Sequence, residues 1–168
     1  MEGLIGKMSK LLGLVGAAAL ALMLIGGCSS QPDPAERATN AASQADVVVA
    51  AAPHTPETDR MFNEQVFRSM KKSAYFLALS RGKLLDDMAL VKALQEGWIA
   101  GAGLDVFPQE PPPSSHPIFD CPNVVMTMHT SGWGPDRQKR LVEQFAENVR
   151  RYTEGLPLLN VVDKKLGY

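Results

Sequence analysis

Cysteine is scarce. The 168 residues hold two, Cys28 and Cys121. That excludes a disulfide scaffold and a four-cysteine zinc site. An excess of one charge is also lacking: 17 Lys and Arg stand against 18 Asp and Glu, a formal net charge of -1. Such a chain has no field with which to draw nucleic acid, so none is expected as a partner. The three histidines, His54, His116 and His129, show no H-x-x-x-H pairing, so no metal is implied. No G-x-G-x-x-G run occurs. Gly101-x-Gly103 lies within a strand pattern, with no helix start after it, and is not a dinucleotide fingerprint. The remainder is an ordinary globular balance, 45% apolar and 21% charged. A largely disordered chain is excluded, and the length suits one domain with a core, or one domain plus a tail.

The longest apolar run is at the start. Residues 11 to 27, LLGLVGAAALALMLIGG, carry no charge and follow Lys7 and Lys10; Cys28-Ser29-Ser30 comes next. A basic start, a short apolar run and small residues describe a secretory signal. Ile25-Gly26-Gly27-Cys28 also resembles a bacterial lipobox, in which the cysteine is acylated. On that reading the protein is attached to a membrane through Cys28, outside the cytoplasm. The run is at the lower length limit for a spanning helix. The other reading makes residues 1–30 a strand and helix of a soluble, cytoplasmic domain. Residues 31 to 45 show no apolar period and read as a linker.

From residue 46 the pattern alternates. Asp46 to Ala52 is an apolar run that predicts a strand buried on both faces. NEQVFRSM, residues 63 to 70, predicts two helical turns with Val66, Phe67 and Met70 inward. Ser73 to Leu79 predicts a second strand, broken by Ser80-Arg81-Gly82. Asp86 is placed to cap a helix running to about Glu96, with Gly97 as its stop. Ala100 to Val106 predicts a third strand, whose glycines suit a helix packed closely above it. A proline-rich loop follows, then a fourth strand from Asn123 to Thr127. Leu141, Phe145, Val149 and Tyr152 recur at spacings of four and three, which predicts an amphipathic helix over 135 to 154. Strands alternating with helices make the class α/β, a doubly wound parallel sheet.

In such sheets ligands bind beyond the carboxyl ends of the strands. Polar residues stand at all four ends: Pro53-His54, Ser80-Arg81-Gly82, Asp105 to Glu110, and His129 to Gly132. Arg81 can hold a carboxylate in bidentate fashion. It can equally cap a helix end or pair with Asp86 or Asp87. Glu110 can orient an imidazole, or be a solvated loop carboxylate. His129 can serve as general acid and base, or be a satisfied strand-end histidine. Asp105 can meet a ligand amide or cap the loop after it. His54 and His116 read as turn residues, and Cys121 as a buried thiol.

These residues, in this order, resemble the D-isomer-specific 2-hydroxyacid dehydrogenases. The stretches that carry the likeness are ADVVVAAAPHTPET, ALSRGKLLDDMALVKALQEGWIAGAGLDVFPQEPPPSSHPIF, PNVVMTMHTSG and LLNVVDKKLGY, over residues 45 to 168. The resemblance implies a Rossmann-like sheet, with residues 46 to 134 as the second half of an NAD-binding domain. Residues 135 to 168 would form a helix and tail returning toward a substrate domain. It also implies NAD or NADP as cofactor and a small 2-keto or 2-hydroxy acid as substrate. The family's catalytic arginine, glutamate and histidine fall on Arg81, Glu110 and His129. By the same likeness Leu79, Ser80, Arg81, Asp105 and His129 to Gly132 line the nicotinamide side, and Pro53 lies in the turn that meets the adenosine side.

The likeness has departures. Met128 stands where the family usually has Pro, and Ala78 where Asn is common. The glycine fingerprint and the first part of the substrate domain are missing, which predicts a truncated member. GLIG, residues 3 to 6, resembles the family's first strand, which puts Met8 and Leu11 near the positions of the missing glycines. Two other readings stand beside the enzyme: a membrane-attached lipoprotein reusing the fold as a binding module, and a pseudoenzyme. If residues 1–30 supply no strand, the edge at Asp46 to Ala52 is bare and apolar. A second copy or another chain is then expected on it.

Overall fold

Residues 33–165 are described by a computed structural model. The readings of residues 1–30, Cys28, Met8 and Leu11 among them, lie outside those residues. The described residues fall into two units that divide between Met128 and His129.

The first unit opens with a correction. The predicted linker contains helix α1, Pro34–Ala42. Asp33 caps it, accepting a hydrogen bond from the Ala35 amide, and Pro34 supplies the fixed φ of a first helical residue. Its inward positions are Ala38 and Ala42, one turn apart. Alanine makes a good helix but a faint apolar period, so spacing alone did not reveal it.

Four strands follow: β1 Val47–Ala50, β2 Tyr75–Ala78, β3 Gly101–Leu104 and β4 Val124–Met126. All pair in parallel, in the order β1-β2-β3-β4. Between them run α2, Glu64–Ser69, and α3, Asp87–Gln95. This is the α/β class that the alternation predicted. Both helices start and stop as their sequences imply. The Asn63 side chain accepts from Val66 N and that of Asp86 from Ala89 N, while Gly97 takes φ +68° beyond α3.

The core lies on one face of the sheet. Phe76 of β2 meets Phe62 and Phe67 edge to face, both with centroids 5.1 Å apart. Val66, Phe67 and Met70 are buried as expected. The other face is less covered, because Tyr75 and Leu77 are only half-buried. Two expectations fail here. β1 is not buried on both faces: Val47 to Val49 are half-buried and only Ala50 is buried. Among the described strands β1 is an edge, and a shallow apolar groove runs beside it, lined by residues including Ala42, Val48, Ala52 and Phe62. The glycines of β3 do not make room for a helix either. A Cβ on Gly103 would stand 2.8 Å from Leu77 Cδ2, and one on Gly101 would stand 2.7 Å from the Asn123 carbonyl oxygen. Neighbouring strands, not a helix, exclude side chains there.

The second unit holds α4, Arg137–Thr153, which buries none of its residues. Leu141, Phe145, Val149 and Tyr152 form the expected apolar stripe, all exposed. Gly155 ends the helix with φ +68°. The tail folds back on it, because the Asn148 amide accepts from Leu159 N at 2.8 Å and donates to Leu159 O at 3.1 Å. No helix among the described residues is long and apolar enough to cross a membrane.

Candidate active site

Parallel strands bring their carboxyl ends to one edge of the sheet, and the loops there carry the chemistry. After β1 the turn is locked by Thr58. Its hydroxyl donates to the Pro53 carbonyl at 2.8 Å and accepts from the Thr55 amide at 2.8 Å. Pro53 also borders the groove beside β1. His54 pairs with Asp59 at 2.7 Å and remains a turn residue.

After β2, the Ser80 hydroxyl donates to Ala50 O at 3.1 Å and Leu79 N donates to the same carbonyl at 3.2 Å, so the two strand ends are stitched together. Leu79 keeps an exposed side chain. Arg81 follows, and neither structural alternative for it holds. Asp86 caps α3, and Asp87 is bonded to His116. The Arg81 guanidinium donates only to its neighbour's carbonyl, Ser80 O, at 2.9 Å, and makes no ion pair among the described residues. The group is exposed, which leaves most of its donors to solvent.

After β3, Asp105 is 2% exposed. A buried carboxylate needs donors, and one comes from the Thr127 hydroxyl at the end of β4. The register explains the meeting: Leu104 pairs with Met126, so Asp105 and Thr127 are the next partners along. Glu110 stands in the proline-rich loop, its carboxylate accepting from the Phe107 amide at 2.9 Å. The base of this loop rests on the Arg81 loop, where Gly82 packs against the backbone of Phe107 and Pro108. The segments carrying Arg81 and Glu110 are therefore in contact.

His129 and Gly132 belong to the second unit. His129 is exposed and takes φ +59°, a left-handed conformation rare for a side-chain-bearing residue and concentrated at functional sites. A turn follows, closed by Trp133 N to Thr130 O at 2.9 Å. Gly132 is exposed, with open space around it. Cys121 is buried, and burial pushes its thiol pKa up, with the charge of Asp120 adding to the effect. No cluster of metal-ligating side chains occurs among the described residues.

Sequence reasoning missed the contacts that Thr58, Gly82, Asp87 and Thr127 make at this edge: Gly82 reads only as part of a strand-end turn, and Asp87 as a possible partner of Arg81. The contact of Thr127 with Asp105 follows from strand register, which no local pattern carries.

Residues 29–131 match the model of the D-isomer specific 2-hydroxyacid dehydrogenase NAD binding domain. The chain belongs to this family. A glyoxylate reductase of Korarchaeum cryptofilum is 42% identical over 73% of the chain. A glycerate dehydrogenase of Methylorubrum extorquens is 37% identical over 72%. The chain spans 37% and 39% of the lengths of these two relatives. Among solved structures, a dehydrogenase of the family from Xanthobacter autotrophicus, in complex with NADPH and MES, shares 35% identity at a TM-score of 0.71. That match covers 79% of this chain and 54% of the other. An NADPH-dependent glyoxylate/hydroxypyruvate reductase of Sinorhizobium meliloti, with NADP and sulfate, shares 27% identity at a TM-score of 0.74. It covers 96% of this chain and 53% of the other.

Proposed function

We propose that this dehydrogenase-family chain carries the catalytic residues of an NAD(P)-dependent oxidoreductase that interconverts a small 2-keto acid and its D-2-hydroxy acid. The observation that carries the reading is Arg81: an exposed guanidinium without an ion-pair partner among the described residues, at a strand tip, one loop contact away from Glu110.

The residues fit the nicotinamide half of such a cofactor. The buried Asp105 carboxylate at the strand tips is an acceptor suited to a carboxamide, and the exposed Leu79 beside it offers an apolar surface to a ring. When bound, the cofactor supplies or takes the hydride at the substrate's second carbon. The chain's own groups do the rest. Arg81 binds the substrate carboxylate through two parallel N–H bonds and so aims the carbonyl. His129, protonated, gives its proton to the oxygen that becomes the hydroxyl, and takes it back in the reverse direction. To Glu110 we assign the task of orienting that imidazole. Acid–base help of this kind accelerates a reaction by about a hundred- to ten-thousand-fold.

The relatives named for glyoxylate direct the test toward the smallest 2-keto acids. Glyoxylate and hydroxypyruvate are to be offered with NADH and with NADPH, and cofactor oxidation followed at 340 nm. R81M is expected to raise KM for the keto acid sharply. H129Q is expected to remove turnover while cofactor affinity, read by fluorescence, stays nearly intact. Equal loss of turnover and cofactor binding in H129Q would make His129 structural and overturn the assignment.

A further inference from the structure

His116 joins the two segments that carry Arg81 and Glu110. Asp87 stands six residues after Arg81, and His116 six residues after Glu110. Nε2 of His116 lies 3.1 Å from Oδ2 of Asp87. The contact is sheltered, with the His116 side chain 12% exposed. The other ring nitrogen, Nδ1, accepts from the Ile118 amide at 3.2 Å and so caps the short 3-10 turn Pro117–Asp120. A nitrogen that accepts must carry a lone pair. The neutral ring therefore holds its proton on Nε2 and donates it to Asp87. Asp87 is free to receive it because Asp86, one residue earlier, caps α3. Its other oxygen accepts from Met88 N.

The geometry gives this bond a task beyond capping. The loop of residues 107 to 116 leaves β3 where Phe107 meets Gly82 and ends at His116. Both anchors hold it to the segment Arg81 to Asp87, one at Gly82 and one at Asp87. Glu110 lies between them, on a stretch stiffened by Pro108, Pro111, Pro112 and Pro113. A stiff loop fixed at two points moves as a piece with whatever it is fixed to. Release of one point lets Glu110 swing relative to Arg81. A displacement of about 1 Å at a catalytic group can cost about a hundredfold in rate.

We propose that the His116–Asp87 bond is a positioning device that sets the Glu110 loop against the Arg81 loop; it rests on the reaction assigned above. The role given to both residues is to act through Glu110 and Arg81.

Three substitutions separate positioning from simple stability. H116N keeps an acceptor for Ile118 N, as asparagine does at helix starts, but is too short to reach Asp87. D87A removes the acceptor. D87N removes the charge and keeps an oxygen that can accept from Nε2. With glyoxylate and NADPH, kcat is expected to fall about tenfold or more in H116N and D87A, while KM for NADPH is unchanged. D87N is expected to recover most of the loss. The double variant H116N/D87A is expected to be no worse than either single, since both delete one bond. Amide exchange at Phe107, Gln109 and Glu110 is expected to quicken about tenfold in H116N and D87A, and little in D87N. Wild-type kcat in folded H116N and D87A overturns the proposal, as does an equal loss in D87N and D87A. If the wild-type chain turns over no 2-keto acid, the assigned reaction fails, and amide exchange alone judges the tether. Unchanged exchange in H116N and D87A then overturns it.

Discussion

Gly82 and Phe107 meet backbone to backbone. A Cβ placed on Gly82 would stand 1.9 Å from both the carbonyl carbon and the oxygen of Phe107, and 2.5 Å from the nitrogen of Pro108. All three obstacles are main-chain atoms, so no rotamer change can make room. The absence of a side chain at Gly82 is what lets the loop after β2 touch the loop after β3. G82A is therefore expected to destabilise the fold by about 1–3 kcal/mol or more, the usual range for over-packing. A urea titration reads this as a lower midpoint. An unchanged midpoint would mean that the two loops are not held this closely.

Thr127 and Asp105 give a second expectation. T127V keeps the shape of the side chain and deletes the hydroxyl that donates to a 2%-exposed carboxylate. The loss of a donor to such a buried group costs about 1–3 kcal/mol. T127S should retain most of the stability. Thermal melts of the two variants decide the matter, and equal melting temperatures for T127V and the parent would contradict the role given to the hydroxyl.

The fold shields Cys121. Burial, with Asp120 second, holds its thiol pKa above the ordinary value. The thiolate is the reactive form, so labelling by a disulfide reagent at neutral pH is expected to be slow, and fast once urea is added. Peptide mass mapping separates Cys121 from Cys28. A native-state rate equal to that in urea would refute the shielding.

Acid should weaken α4 in a defined window. Hydrogen bonds from Arg150, then from Arg151, depress the Glu147 carboxyl from 4.5 to about 2. A group whose pKa falls on folding contributes fully above its unfolded value and loses that contribution as pH drops through the folded one. Helicity read by circular dichroism should therefore decline between about pH 4.5 and about pH 2. The change will be modest because the pair is on the surface. E147Q should flatten this part of the titration; a profile identical to the parent would assign the decline to other carboxylates.

What could be read beforehand followed the reach of each interaction. Asp86 and Gly97 act within a few residues of themselves, so α3 was legible with its ends, and α2 as two helical turns whose Asn63 cap the structure adds. The four strands were legible from their apolar runs. Helix α1 was not, because Ala38 and Ala42 give little hydrophobic contrast. The half-burial of Val47 to Val49 was missed because burial depends on which elements flank a strand, not on its own composition. At the site, Arg81 had several bonds open to it by sequence, and the structure removes the two carboxylates by giving Asp86 and Asp87 other work. Partnerships such as Thr127 with Asp105, or His116 with Asp87, span 22 and 29 residues and depend on sheet register and loop return. No local pattern encodes them.

The order of the strands carries a last consequence, for synthesis. Among the described strands, β2, β3 and β4 each hydrogen-bond to the one translated just before. Within this set no partner has to be awaited from far downstream, so the entropy of closing each crossover is paid over short stretches of chain. The sheet can then grow from its amino-terminal side while the ribosome is still at work, with each newly emerged βα segment covering the raw flank left by its predecessor.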